Sequence, residues 1–238
     1  MDRFRRLNLI ITQKSLTTLQ EATVMVVGIG GVGAMACEAL ARSAIGKIIL
    51  VDFDVIQVTN INRQLHATDN TIGLKKVEVM ADRIKSINPD CEVVIFDAFY
   101  DHTSITLFEQ KIDYVIDAID TISSKLDLIE SCHERSIKII SCMGMGNRMD
   151  PSLITYSTLA KTDMDPLAKA MRLQARKRNI SYRIDVVVSK EKPVMITEDS
   201  LSEDTKNGKT PPGSSAFVPN AAGLLCAAFV VNKLISNN

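Results

Sequence analysis

The chain has 238 residues, 46% of them hydrophobic, which is the profile of a soluble globular protein large enough to form a core without disulfides or a structural metal. Its 28 Lys and Arg residues balance 28 Asp and Glu residues, so nucleic-acid binding through bulk charge is excluded and any basic site must be local. Five scattered cysteines without a C-x-x-C pair predict buried thiols rather than a disulfide framework or a zinc site.

The two ends of the chain predict a cytoplasmic protein. Residues 1–15 are charged and contain no apolar signal-peptide region. The longest apolar run, residues 221–231, is shorter than the roughly 20 residues that a membrane helix needs. We therefore expect no stable membrane insertion and predict a buried or docking helix at this run.

Residues 23–51 have the pattern of a βαβ unit. Residues 23–27 form a β-branched run that ends at Gly28, which predicts a strand followed by a tight turn. Residues 32–42 are rich in Ala, Leu and Met and predict a helix, and residues 47–51 predict a second strand that stops at Asp52. Two parallel strands joined by a helix are the building unit of nucleotide-binding folds.

The alternation of strands and helices continues to about residue 145. Helices are predicted over residues 73–87, 104–110 and 123–135, and strands over 92–96, 113–116 and 137–141. Because the strands are apolar on both faces, we predict an α/β fold with a Rossmann-like, mostly parallel sheet and helices on both faces.

The pattern changes beyond residues 143–146, and we predict a nucleotide-binding domain over residues 1–150 and a smaller α+β extension over residues 151–238. In the extension we predict strands over 153–157 and 183–188, a basic helix over 165–178, a loop over 197–215 and a terminal helix over 219–235. The loop prediction rests on a composition rich in Ser, Asp, Thr, Gly and Pro without periodicity.

A glycine motif lies between the first predicted strand and helix. Gly28, Gly30, Gly31 and Gly33 give the spacing G-x-G-x-x-G, which lets the backbone approach phosphate or ribose beside a helix N-terminus. Asp52 follows the second strand, where a carboxylate binds ribose hydroxyls. These features alone do not separate NAD from ATP, and a purely structural glycine turn also fits.

A polar cluster after the second strand favours a triphosphate. It comprises Asp54, Asn62, Arg63, Gln64 and, further along the chain, Lys76. The P-loop spacing G-x-x-x-x-G-K-[ST] is absent, so phosphate charge would be met by side chains from separate elements, with Arg63 and Lys76 as the candidates. The alternative is that both cations lie on a solvated helical face.

The third core strand ends in Asp117-Ala-Ile-Asp120, at the edge where open α/β folds bind ligands. Asp120 could hold Mg²⁺, because this ion prefers one or two carboxylates together with phosphate oxygens and water. Alternatively, Asp120 caps the helix that starts near Ser123.

Four motifs, taken in chain order, resemble the adenylation domain shared by ubiquitin-activating enzymes and the bacterial thiamine- and molybdopterin-biosynthesis adenylyltransferases. The motifs are GIGGVG, VDFDVIQVTNINRQ, Gly73-x-x-Lys76 and DAID. The resemblance implies an ATP-binding adenylation domain. It implies ATP-binding roles for Gly28, Gly30, Gly31, Gly33, Asp52, Asp54, Asn62, Arg63, Gln64 and Lys76. It implies catalytic roles for Arg63, Lys76, the Mg²⁺ ligand Asp120 and Arg6. Arg6, with Arg5 and Arg3 as the alternatives, would reach into the site of a homodimer partner.

Further segments resemble one branch of that superfamily, the tRNA threonylcarbamoyladenosine dehydratases. These segments are residues 62–66, 117–120, 159–168 and 213–223. The resemblance implies ATP-dependent cyclisation of the threonylcarbamoyl group on the adenosine 3′ of the tRNA anticodon, with a sulfur-relay protein as a further possible partner. The alternative is an adenylyltransferase for a ubiquitin-like sulfur carrier, which the absence of paired C-x-x-C motifs disfavours.

The predicted basic helix is a candidate tRNA contact. Lys169, Arg172 and Arg176 stand at i, i+3 and i+7, hence on one helical face, although a solvated face is an equal alternative. Cys142 is expected to pack rather than act as a nucleophile. His66 is expected either to orient Arg63 or close the pocket, or to lie at the surface or at a helix end. The combination of Arg63, Lys76 and Asp120 disfavours a non-catalytic binding module. An NAD-linked oxidoreductase is disfavoured because no residue stands out as a hydride-transfer acid or base.

Overall fold

Seven strands form the centre of the computed structural model, which describes residues 3–195 and 212–236. The strands of this described part are β1 (Thr23–Val27), β2 (Lys47–Val51), β3 (Glu92–Phe96), β4 (Tyr114–Asp117), β5 (Lys138–Cys142), β6 (Ile154–Thr158) and β7 (Asp185–Ser189). They join in one sheet of order β3-β2-β1-β4-β5-β7-β6.

All neighbouring strands are parallel except β6 and β7, which run antiparallel. From β1 the chain builds β2 and β3 on one side and β4 and β5 on the other, so the strand order reverses between β1 and β4. A crevice opens at the carboxyl ends of strands at such a reversal. The predicted α/β fold class is confirmed, and the proposed division at residue 150 falls within one continuous sheet.

Helices cover both faces of the sheet. They are α1 (Gln13–Glu21), α2 (Gly31–Arg42), α3 (Lys76–Ile87), α4 (Ile122–Glu134), α5 (Pro166–Lys177) and α6 (Val218–Ser236). Val24 and Val26 of β1 belong to the core that contains α2, α3 and α6, whereas Met25 and Val27 belong to the core that contains α4 and α5. Because alternate residues face opposite cores, both sets must be apolar, which explains the uninterrupted apolar strands.

The terminal helix α6 packs against α2 on one face of the sheet. Its Ala222, Cys226 and Val230 are fully buried, and a Cβ added at Gly223 would lie 2.3 Å from the Val32 carbonyl oxygen. Glycine therefore permits the close approach of the two helices. By length and apolar composition, α6 is the one helix of the described chain that could span a membrane, and its packing here accounts for that composition.

Most predicted elements are confirmed to within two residues at each end. Two predictions were inaccurate: residues 105–109 form a 3₁₀ helix, and α3 begins at Lys76, since Gly73 has a positive φ of 85° and the N-cap residue Lys75 is extended. Helix α1 was not predicted, since its sequence QKSLTTLQE is polar and rich in threonine and buries only Leu16 and Leu19. Of the predicted loop over 197–215, residues 197–211 lie outside the described residues.

Candidate active site

A cavity of about 510 Å³ opens at the carboxyl ends of β1, β2 and β4, where the strand order reverses. Most of the residues singled out from the sequence lie on its wall. They are Gly28, Gly30, Gly31, Asp52, Asp54, Arg63, Gln64, Lys76 and Asp120. Four motifs that are far apart in the sequence therefore meet at one site.

The glycines of the turn have two separate structural roles. Gly28 adopts φ 89°, and a Cβ there would lie 2.7 Å from the Ala118 carbonyl oxygen, so only glycine fits between β1 and β4. Gly33 does not line the cavity, because it faces the strand and a Cβ there would lie 1.8 Å from the Gly28 carbonyl oxygen. Gly30 and Gly31 form the cavity wall at the N-terminus of α2, which no side chain of the described residues caps. That helix end is suited to an anion.

Asp52 ties the end of β2 to the glycine turn. Its Oδ2 accepts a hydrogen bond of 2.6 Å from the Ile29 N–H, and its Oδ1 accepts one of 2.8 Å from the Asp54 N–H. Burial raises the pKa of Asp52 above its ordinary value, and the nearby Lys76 charge opposes that rise. Each carboxylate oxygen retains a second lone pair, so the carboxylate can still accept from a ribose hydroxyl.

Lys76 is a buried cation on the cavity wall. Its side chain is 7% exposed, and its Nζ lies 2.6 Å from Oδ2 of the half-exposed Asp54. Lys76 is the first residue of α3, where the helix dipole disfavours a positive charge. Such a cation is retained most readily where it meets an anion, and Asp54 supplies one here.

Arg63 is half-buried, and burial lowers the pKa of its guanidinium. Its Nη1 donates to the Thr59 carbonyl oxygen and to Oδ1 of Asn62, both at 2.8 Å. Within the described residues no carboxylate lies in ion-pair distance of Arg63. The guanidinium is therefore positioned by neutral acceptors, which leaves its charge available to a ligand.

Asn60, which the sequence analysis did not select, lines the cavity, whereas Asn62 does not. Asn60 is 8% exposed and its Oδ1 accepts a hydrogen bond of 3.0 Å from the Gln57 N–H. It ends a 3₁₀ turn three residues before Arg63, which places both residues towards the cavity. Asn62 instead donates through Nδ2 to the Ser214 carbonyl oxygen at 2.9 Å.

Asp120 is exposed on the cavity wall, immediately before the N-cap residue Thr121 of α4. Its Oδ1 accepts a hydrogen bond of 3.3 Å from Thr121 Oγ1, and the N-cap makes no side-chain capping bond. No group of three potential metal ligands occurs in the described residues. One free carboxylate facing the cavity nevertheless fits Mg²⁺, which takes its remaining ligands from phosphate and water.

A fully buried ion pair supports the loop that carries Asp120. Lys125 Nζ lies 3.0 Å from Asp117 Oδ2, with both side chains 0% exposed, and donates to the Ile119 carbonyl oxygen at 2.9 Å. Asp117 also accepts from the Ile119 N–H at 3.1 Å and from Ser141 Oγ. The N–H and the carbonyl oxygen of Ile119 are thus both bound by the buried ion pair. Sequence reasoning identified Asp117 but missed Lys125.

The C-terminal part of the chain returns to the cavity. Pro212, Gly213 and Ser214 line it beside Gly146, and a Cβ at Gly146 would lie 2.9 Å from Pro212 Cβ. The Asn147 N–H donates to the Gly213 carbonyl oxygen at 2.7 Å. No pattern in the sequence indicated this contact.

The histidine and cysteine expectations have separate outcomes. His66 is 3% exposed and does not line the cavity, so the surface alternative is wrong. Neither ring nitrogen has a partner within the described chain, and burial, followed by the charges of Lys76 and Arg83, lowers its pKa to about 4. All five cysteines are free and buried, which confirms the prediction of buried thiols.

The remaining selected residues lie away from the cavity. Arg6 is exposed beside a 3₁₀ turn near the N-terminus. On α5, Lys169 and Arg176 are exposed, but Arg172 is half-buried and donates to the Leu159 carbonyl oxygen at 3.3 Å and to Thr162 Oγ1. The predicted basic face therefore contains two exposed cations, of which Arg176 lies over the Tyr182 ring at 5.6 Å from its centroid, and a third cation, Arg172, that is bound within the fold.

Comparison with known proteins identifies the family. A model described as the ThiF family matches residues 2–206. This chain belongs to the ThiF family. Among relatives in the ThiF family, the tRNA threonylcarbamoyladenosine dehydratase of Bacillus subtilis is 43% identical over 244 residues, covering 100% of this chain and 96% of the relative.

Solved structures of the Escherichia coli tRNA N6-threonylcarbamoyladenosine dehydratase are similar throughout. The complex of that protein with ATP matches at a TM-score of 0.88 and 35% identity, covering 99% of this chain and 94% of the other. Its complex with AMP matches at a TM-score of 0.89 and 34% identity, with the same coverage. The fold of this ThiF-family chain is therefore that of an ATP-binding relative over almost its full length.

Proposed function

We propose that this chain is an ATP-dependent tRNA threonylcarbamoyladenosine dehydratase that cyclises N6-threonylcarbamoyladenosine in the anticodon loop. The observation that carries the proposal is the 43% identity to the Bacillus subtilis dehydratase over the whole of this chain. The cavity supports this proposal, because cations, a free helix N-terminus and carboxylates converge there, and these are the groups that bind a nucleoside triphosphate.

The chemistry needs activation of a carboxylate. A free carboxylate is a poor acyl donor, but attack of its oxygen on the α-phosphorus of ATP releases pyrophosphate and forms an acyl-adenylate. The carbamoyl group of the same substrate then attacks the acyl carbon, and AMP leaves with one former carboxylate oxygen. The substrate loses the elements of one water. Because the nucleophile belongs to the substrate, the protein has to position groups and neutralise charge, and no enzyme cysteine is required.

The proposed residue roles follow from the position of each group. Asp52 binds the ribose, and the N-terminus of α2 with Arg63 and Lys76 binds the phosphates. Asp54 holds Lys76 in place until phosphate takes over part of its charge. Asp120 would hold Mg²⁺, which when bound supplies charge neutralisation for the departing pyrophosphate.

The test of function is mass spectrometry of nucleosides after incubating tRNA that contains N6-threonylcarbamoyladenosine with protein and ATP. We expect a product lighter by one water, with one AMP formed for each product. Unchanged tRNA, combined with adenylation of the C-terminus of a ubiquitin-like sulfur carrier, would favour the alternative function. The cytoplasmic location and a sulfur-relay partner stay predictions.

We also propose a homodimer in which Arg6 of one subunit completes the site of the other. The exposed position of Arg6, away from the cavity of its own chain, supports this arrangement, and two-fold dimers are the commonest oligomers. Mixing Arg6→Ala protein with Asp120→Ala protein should restore part of the activity, because half of the sites in heterodimers combine intact groups. Absence of recovery after verified subunit exchange would count against a shared site.

We propose that the exposed face of α5 contacts the tRNA backbone through Lys169 and Arg176. Their exposure supports the proposal, whereas Arg172 is engaged with Thr162 and contributes less than the sequence spacing implies. Replacing Lys169 and Arg176 by alanine should weaken tRNA binding and reduce its salt dependence while ATP affinity stays unchanged. Wild-type affinity and salt slope in the double variant would show that α5 is a solvated face.

A further inference from the structure

Pro212, Gly213 and Ser214 line one side of the cavity, and together with Ser215 they form a wall that is anchored from two directions. On the β5 side, the Asn147 N–H donates to the Gly213 carbonyl oxygen at 2.7 Å, and Ser215 Oγ donates to the Arg148 carbonyl oxygen at 3.2 Å. On the opposite side, Asn62 Nδ2 donates to the Ser214 carbonyl oxygen at 2.9 Å. That last contact links positions 152 residues apart in the chain.

Asn62 uses both halves of its side-chain amide. Its Nδ2 binds the Ser214 carbonyl oxygen, and its Oδ1 accepts the hydrogen bond from Arg63 Nη1 at 2.8 Å. A carbonyl can only accept and a guanidinium can only donate, so these two partners fix the orientation of the amide. Asn62 therefore lies between the phosphate-site arginine and the C-terminal wall without reaching the cavity itself.

We propose that Asn62 is a positioning residue that couples the orientation of Arg63 to the placement of the wall Pro212–Ser215. The part of this inference that concerns catalysis rests on the proposed function, because it assigns Arg63 to the phosphates of ATP. Arg63 has no ion-pair partner in the described parts of the chain, so its direction depends on Thr59 and Asn62 alone. In this role Asn62 positions Arg63 and does not itself contact phosphate, which differs from the direct ATP contact that the family resemblance implies for Asn62.

The first test measures the wall itself and needs no substrate. Hydrogen exchange at the Asn147 amide reports whether Gly213 stays docked, and exchange at the Ile29 amide, bonded to Asp52, serves as an internal reference. In Asn62→Ala we expect Asn147 to exchange about fivefold faster, the factor of a typical net hydrogen bond, with Ile29 unchanged. Asn62→Asp, which keeps an acceptor for Arg63 but loses the donor to Ser214, should accelerate Asn147 similarly. The exposed Asn70→Ala is the matched control and should change neither amide.

The second test separates positioning from binding. In Asn62→Ala we expect kcat for AMP formation to fall about fivefold or more while the KM for ATP changes by less than about twofold, since Arg63 is present but less well directed. A raised KM for ATP with unchanged exchange at Asn147 would overturn the proposal in favour of a direct ATP contact. Failure of wild-type protein to dehydrate tRNA would refute the proposed function, yet the exchange experiment would still decide the structural role of Asn62.

Discussion

Replacing Lys125 by methionine removes one partner of a fully buried ion pair while keeping a side chain of similar length. Asp117 would remain 0% exposed, with only Ser141 and the Ile119 N–H to compensate its charge. Breaking a buried pair in this way lowers the free energy of unfolding by about 3–5 kcal/mol. Because two donors to Asp117 remain, we expect a loss of about 3 kcal/mol for Lys125→Met. For a chain of this size, that loss lowers Tm by about 6–12 °C.

The assay is urea and thermal denaturation of Lys125→Met, Asp117→Asn and the double variant. Because the double variant carries no uncompensated charge, we expect it to be more stable than Lys125→Met. Lys111→Met is the matched control, since Lys111 is 78% exposed at 3.4 Å from Asp113 and should lose less than about 1 kcal/mol. Equal losses for Lys125→Met and Lys111→Met would refute the reasoning.

The same substitution also tests how the site is supported. Lys125 holds the Ile119 carbonyl oxygen, and Ile119 directly precedes Asp120. We therefore expect Lys125→Met to form AMP more slowly than wild type at temperatures where it is fully folded. Wild-type turnover in the folded variant would show that the loop keeps its position without the ion pair.

Three further predictions concern separate residues. His66 has a pKa of about 4 in the folded chain instead of 6.5, so as pH falls the imidazole is protonated first in the unfolded state. The free energy of unfolding should therefore fall by about 2 kcal/mol between pH 8 and pH 5. His66→Gln should remove this pH dependence in denaturation experiments, whereas the exposed His102→Gln should keep it. Gly33→Ala should lose about 3 kcal/mol of stability because its Cβ would lie 1.8 Å from a backbone oxygen, whereas Gly30→Ala meets its nearest atom at 3.9 Å and should not. Lys76→Ala should slow AMP formation roughly 100-fold or more.

Each of these predictions has a result that would contradict it. An unchanged pH slope in His66→Gln would show that another group binds the proton. Equal melting temperatures for the two glycine variants would mean that α2 can shift away from β1 without loss. For Lys76, the neighbouring Lys75→Ala is the control, because Lys75 pairs with Asp97 at 3.0 Å and lies outside the cavity; equal turnover of the two variants would remove Lys76 from the phosphate site.

The sequence was sufficient for the features that depend on short stretches of chain. The turn at Gly28 follows directly from a strand that is apolar on both faces, and Asp52 ends the neighbouring strand. Parallel pairing then brings both to one edge, because Val27 lies beside Val51 in register. The parallel pairing and the position of the cavity at the carboxyl edge could therefore be predicted from local pattern and the rules of α/β folds.

The sequence was insufficient for features that depend on the direction of a side chain or on contacts between residues far apart in the chain. Choosing between Asn60 and Asn62 requires the 3₁₀ turn that directs one into the cavity and the other towards Ser214. The role of Lys125 depends on burial opposite Asp117, which no local pattern reveals. On α5, the helical period placed Arg172 on the basic face, but its contact with Thr162 withdraws it from solvent.

The central claim is that the chain activates a tRNA carboxylate as an acyl-adenylate, and isotope transfer tests it most directly. tRNA whose threonylcarbamoyl carboxylate carries heavy oxygen is incubated with the protein and unlabelled ATP, and the nucleotides are analysed by mass spectrometry. Adenylation predicts one labelled oxygen in each AMP and an unlabelled pyrophosphate, because the carboxylate oxygen that attacks the α-phosphorus leaves with AMP. Label in inorganic phosphate together with ADP, or label released to water, would contradict the account.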